Sequence, residues 1–238
     1  MITSKLVWFD IKKLHVSWFT YLSLLLSVVP AYGIAYAIKN LNGPFNIYHI
    51  TSFYALLGSI LCVILSMRLF TDDIHNEILT LLFNKKENRK KYLFAKFIGA
   101  IYVGFLFGIT CTLVIISSEQ YLKINADNLY LKSIINYILF TSFYVLLFFY
   151  FSTFYRKVTV LFVIAVLSIS FLPNLIMTAI DSKMFPDIVV NIIEYTPLYF
   201  LPIKIGSHNF SSMEYIITLL SIVFLFFIST YSILRQDY

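Results

Sequence analysis

The chain has 238 residues, of which 60% are hydrophobic and 13% charged, and its mean hydropathy is +0.83. A soluble globular domain carries about 25% charged residues, so this chain lacks the charge to coat a water-facing surface, and disorder, a coiled coil and a secreted disulfide scaffold are excluded with it. The formal charge of +6 resides in lysines and arginines that flank apolar runs; it excludes nucleic acid as the partner and points to membrane orientation.

Residues 1–16 place Leu6, Phe9, Lys13 and Leu14 at helical spacing, mixing bulky apolar and basic side chains. This predicts a helix lying in the headgroup region of a bilayer. Crossing a hydrocarbon core of about 30 Å takes about 20 apolar residues of helix. Six runs qualify: Ser17 to Ile38, Tyr48 to Phe70, Leu93 to Ser117, Ser133 to Tyr155, Val158 to Ile180 and Tyr215 to Leu234. The first is too long for a signal-peptide core and lacks a small-residue cleavage site, so it is expected to be retained. Pro30 and Pro173 are expected to kink their spans, and Cys62 and Cys111, inside apolar runs, to act as packing residues. The expected fold is all-α and polytopic, one transmembrane domain over residues 1–238.

With the amino terminus inside, inner segments hold thirteen of the eighteen lysines and arginines. That bias predicts that both termini are cytoplasmic. His15, His49, His75 and His208 fall in different loops, with no metal-ligand cluster, no glycine-rich phosphate loop and no facing set of ionisable groups at depth. Neither a catalytic residue nor a metal site is therefore expected. The longest inner segment, residues 71–92, is far smaller than a nucleotide-binding domain, and mid-span carboxylates or internal repeats of the kind secondary transporters use are absent from the sequence. Transport subunit and structural membrane subunit remain.

Within residues 71–92, Ile74, Ile78, Leu81 and Leu82 make one apolar stripe, with Asp72, Asp73 and Glu77 in the first turns of a short helix, where acids suit the dipole. Such a helix either lies on the inner membrane face or docks into a groove on a cytoplasmic motor protein. Residues 181–213 are too apolar for an ordinary loop and too broken by Pro186, Pro197 and Pro202 for a span. Short helices dipping into the outer leaflet are expected there, with Glu194 as a solvated residue at the lip.

Gly58, Cys62 and Ser66 in span two, and Ala100, Gly104, Gly108 and Thr112 in span three, recur every four residues. Small residues at this spacing let helix backbones approach, and packing within the chain is the first expectation for them. Aromatic residues crowd Phe140 to Phe154. They line a cavity for greasy substrates, or they reflect codon bias and lipid-facing packing.

The ensemble resembles the membrane subunits of ABC exporters of the ABC-2 type. That family has six spans, an interfacial helix before the first, re-entrant helices between spans five and six, and a helical inner segment with an acidic residue, a leucine pair, an arginine and a lysine opening span three. Asp73, Ile78-Leu79 and Leu81-Leu82, Arg89 and Lys96 occupy those positions here; the family's glycine is replaced around Asn76-Glu77 and its proline is missing. The closing Tyr231 to Tyr238 also looks like the family's short ending.

The resemblance implies a permease subunit without its own ATPase site, in a bacterial cell membrane. Asp72, Asp73, Ile74, Glu77, Ile78, Leu81 and Leu82 would couple it to a cytoplasmic ATPase that binds ATP and Mg, and a second permease copy or paralogue would complete the path. Amphipathic or membrane-active peptides, for export or immunity, are the expected substrates, by similarity to Gram-positive peptide exporters and lantibiotic-immunity permeases. An exporter of drugs or lipids, and a non-transport scaffold or sensor subunit, are the alternatives. Substrate-contact residues are left unassigned.

Overall fold

The structure, a computed structural model, describes residues 2–41, 43–76, 86–124, 126, 128–155 and 157–235. Among these every regular element is helical, and six helices are long and apolar enough to cross a membrane. The chain is a multi-pass, all-helical membrane protein. In chain order the helices are α1 (Ile2–Val16), α2 (Trp18–Leu41), α3 (Ile47–His75), α4 (Lys86–Leu122), α5 (Asn128–Ser152), α6 (Val158–Asp181), α7 (Asp187–Glu194), α8 (Pro197–Lys204) and α9 (Ser212–Arg235). Each expected span falls on one of the long helices.

Two of these exceed the expected spans. At 1.5 Å per residue, α3 and α4 are about 44 and 55 Å long against a hydrocarbon core of about 30 Å. Both continue towards residues 77–85, which lie outside the described residues. The short helix expected to open at Asp72 is, as far as His75, the end of α3. The helix continues past Phe70, where the expected span ends, and there Asp72 and Asp73 find partners, described below.

The centre of the bundle is α3, α4 and α5, which bury half or more of their apolar stretches, whereas α2, α6 and α9 bury less than a third of theirs. Small residues explain this centre. A Cβ at Gly108 would stand 2.6 Å from Ile134 Cα, and one at Gly104 would stand 2.8 Å from the Tyr137 carbonyl oxygen and 2.9 Å from Ile138 Cα. The backbones of α4 and α5 are thus in direct contact, as the glycine spacing predicts for packing inside the chain. Ala100 is fully buried on the same helix, and Gly58 of α3 faces the rings of Tyr54 and Tyr137. Polar side chains tie the same helices: Thr112 Oγ1 lies 2.7 Å from Ser133 Oγ, and Tyr54 donates to the Phe107 carbonyl at 2.9 Å. Such bonds are worth about 0.6 kcal/mol each inside a membrane protein, so they set register more than they set stability.

The aromatic run from Phe140 to Phe154 divides between core and surface, and Phe154, at its end, is exposed and lines a cavity with Tyr155 and Val160. Phe140, Tyr144 and Phe148 are fully buried and touch in sequence, with ring centroids 4.8 and 6.0 Å apart. They are packed core, facing neither a cavity nor lipid. Cys62 and Cys111 are buried free thiols. Pro30 lies within a continuous α2, while α6 answers Pro173 with a π-helical turn, Leu167–Phe171, immediately ahead of it. Ser168, Ser170 and Asn174 donate to the carbonyls of Ile164, Val166 and Ser170 at 2.7, 2.6 and 2.6 Å through this stretch.

Between α6 and α9 the chain forms two short helices that differ in burial. No residue of α7 is buried, and Glu194 is exposed, whereas Phe200 and Leu201 of α8 are enclosed. The turn after α8 presses on α3, since a Cβ at Gly206 would come within 2.7 Å of Ser52 Cα. Glu214 opens α9 in a capping box with Ser211: the Ser211 amide donates to Glu214 at 2.8 Å and the Glu214 amide to the Ser211 hydroxyl at 3.3 Å. Lys204 closes the corner with a 2.6 Å contact to Glu214.

Candidate functional site

The ionisable groups gather where α1, the end of α3 and the start of α4 meet. Lys96 lies one turn beyond Tyr92 on α4 and is almost fully enclosed. Its Nζ is 2.8 and 3.0 Å from the two carboxylate oxygens of Asp10 on α1, and 2.8 Å from Asp73 Oδ2 on α3. Tyr92 donates to the same Asp73 oxygen at 2.9 Å. Just outside, Lys13 of α1 pairs with Asp72 of α3 at 2.7 Å, and Arg89 of α4 donates to the carbonyl of Ile233 at 3.1 Å, covering the end of α9. Ile74 packs partly buried against the hydrophobic core.

Asp72 and Asp73 therefore stand at the carboxyl end of α3, which the helix dipole makes negative, and not in the first turns of a helix as expected. Two cations offset that placement, Lys13 on Asp72 and Lys96 on Asp73. The inner cluster has two carboxylates and one ammonium, so it is one charge short of neutral. Burial pushes the Asp10 carboxyl above its ordinary value of 3.8; Lys96 opposes this, Asp73 adds to it, and Lys13 lowers it slightly. The arrangement binds three helices together and offers no nucleophile poised against a base. Among the described residues, no group of three or more His, Cys, Asp or Glu side chains could hold a metal ion.

The resemblance singled out Asp73, Arg89 and Lys96, and all three lie at this end of the bundle, with Asp73 and Lys96 in contact. Glu77, Ile78, Leu81 and Leu82 lie outside the described residues. Asp10, Lys13 and Tyr92 were missed in the sequence. The signal was there for Asp10, which is the sole carboxylate ahead of Asp72.

Two cavities occupy the opposite half. One, of about 210 Å³, lies between α3, α6 and α8 and is lined by the hydroxyls of Ser52, Ser59 and Ser170 and by Asn174, with Pro202 and Gly206 at its edge. The other, of about 430 Å³, is bordered by Tyr48, Lys132 and His208. His208 itself is buried in the turn between α8 and α9, with Nε2 3.6 Å from Cys111 Sγ and its ring against Tyr137. Burial, and then the charge of Lys132, hold its pKa down to about 4.

No protein-family model matches the chain, and a search of curated proteins finds no match.

Proposed function

We propose that the chain is the permease subunit of an ATP-driven ABC exporter of the ABC-2 type, set in a bacterial cell membrane with both termini cytoplasmic. The observation that carries this reading is the meeting of Asp73 and Lys96, with Arg89 beside them, at the end of the bundle where the cations concentrate. An acidic residue closing one span and a lysine opening the next are the charged marks of the family's coupling segment. Here they join the two longest helices of the described residues, α3 and α4.

In this reading a separate ATPase binds ATP and Mg and grips residues 77–85 through Glu77, Ile78, Leu81 and Leu82. Closure of the ATPase pair displaces that connection. α3 and α4 then act as levers, and Lys96 makes α1 travel with them. α1 lies in the inner headgroup layer, and α7 and α8 dip into the outer leaflet. A second permease copy or paralogue completes the path, against which the hydroxyl-lined cavity of α3, α6 and α8 opens. The substrate class, amphipathic or membrane-active peptides, rests on the resemblance alone, because the deep aromatics that first suggested it are packed core.

The test is affinity purification of the chain from its native membrane with Ile78→Glu and Leu82→Glu alongside the wild type. A nucleotide-binding subunit is expected with the wild type and absent from the variant. Recovery of the wild-type chain alone, under conditions that preserve known membrane complexes, overturns the proposal. Amphipathic peptides should stimulate ATPase activity of the reconstituted complex, and no response to any of them removes the peptide assignment.

A further inference from the structure

α1 is docked through one side only. Asp10 and Leu14 are buried against the bundle, and on a helix they are one turn apart on a single line. The opposite side carries Lys5, Trp8, Phe9, Lys12 and Val16, at spacings of three and four residues, all exposed. Trp8, Phe9 and Val16 are 68, 62 and 76% exposed, and Trp18, which opens the first span, is 72% exposed. The expected grouping of Leu6, Phe9, Lys13 and Leu14 on one face is thus divided, with Leu14 inside and Phe9 out. Among the described residues, neither Lys5 nor Lys12 has an ion-pair partner.

A stripe that alternates large aromatics with unpaired lysines, turned away from the protein, suits neither water nor a second apolar core. It suits the boundary of a bilayer, where rings sit at the glycerol level and lysine stems extend so that the ammonium reaches phosphate. Position agrees with chemistry, because Val16 is followed within two residues by the first membrane span, which holds the end of α1 at the membrane surface. Anionic headgroups complement the two lysines, whereas a zwitterionic surface offers them no net charge.

We infer that the Lys5, Trp8, Phe9, Lys12 and Val16 face of α1 is a binding surface for anionic lipid headgroups. Lipid held there presses α1 onto the bundle, so the contact of Asp10 with Lys96 is made with the membrane on its other side. The inference rests on the membrane-spanning fold and not on the partner ATPase.

The protein supplies its own reporter, since its two tryptophans are Trp8 and Trp18. The full chain is reconstituted in vesicles of phosphatidylglycerol and phosphatidylcholine at fixed mole fractions, with bromine on the acyl chains of one lipid or the other. Bromination of phosphatidylglycerol is expected to quench tryptophan emission more strongly than the same mole fraction of brominated phosphatidylcholine. A Trp18→Phe variant assigns the effect to Trp8. Lys5→Gln with Lys12→Gln, both on exposed residues, should remove the difference, each lysine accounting for a preference of about fivefold. Equal quenching by the two lipids overturns the inference, as does emission from Trp8 that neither lipid quenches. Neither result bears on nucleotide-driven transport.

Discussion

Replacing Lys96 with methionine removes the one ammonium from a site where its side chain is 4% exposed and those of Asp10 and Asp73 are 3 and 12%. Two carboxylates then face each other with the Tyr92 hydroxyl on one of them. Removing one partner of a buried pair costs about 3–5 kcal/mol, and the substitution should fall in that range at neutral pH. Asp10→Asn acts the other way on the same charges. Its amide oxygen can still accept from Lys96, and the remaining Lys96 and Asp73 are balanced one to one. A carboxyl whose pKa is raised in the folded protein favours folding only at low pH, and that contribution is lost as pH rises through the raised value. At neutral pH Asp10 therefore carries a desolvation cost that Asn removes, and Asp10→Asn should change stability by about 1 kcal/mol or less. The double variant, with one buried carboxylate instead of two, should be more stable than Lys96→Met alone by about 2 kcal/mol. Equilibrium unfolding in mixed micelles measures all four proteins. If the double variant is no more stable than Lys96→Met, the charge argument is refuted, whatever the single costs.

Gly108→Ala should cost about 1–3 kcal/mol, because the new methyl meets the α5 backbone, while Gly33→Ala, with nothing within 4 Å, should be neutral or stabilise by about 0.5–1 kcal/mol. The same unfolding assay separates them, and equal effects would discard direct backbone contact between α4 and α5. His208 titrates at about 4 when folded against 6.5 when solvated. Its contribution is complete above the higher value and declines as pH falls towards the lower, by about 3 kcal/mol in all. His208→Asn, which also accepts the left-handed backbone found there (φ 52°), should flatten the stability profile over that window, and an unchanged profile would mean that another group titrates.

Element existence was legible because lipid demands a long apolar run for each crossing, and α2 through α6 and α9 follow those runs. That α4 approaches another helix closely was legible for a similar reason, since Gly104 and Gly108 have few uses other than close approach, but that the other helix is α5 was not. Partnerships across elements were not. Asp10 and Lys96 are 86 residues apart, and nothing local in either sequence announces the other. Apolarity was also a poor guide to which side of a helix is inside. In a membrane both sides are greasy, so Phe140 and Phe148 could be assigned to the core only once α5 was seen at the bundle centre. The end of α3 was misplaced because the acidic residues were matched to the dipole of their own helix, while the decisive charges came from α1 and α4.

The π-helical turn before Pro173 makes α6 mechanically unlike the other spans. A proline ring withholds a donor from the preceding turn and wedges against it, and in lipid a carbonyl left bare is a penalty that would resist further bending. On α6 the neighbouring carbonyls carry their own donors, the side chains of Ser168, Ser170 and Asn174. Bending at Leu167–Phe171 therefore need not uncover those carbonyls. The joint falls near the middle of the helix, between Val158–Val166 and Leu172–Asp181, and beside the hydroxyl-lined cavity that Ile169, Ser170 and Asn174 help to wall.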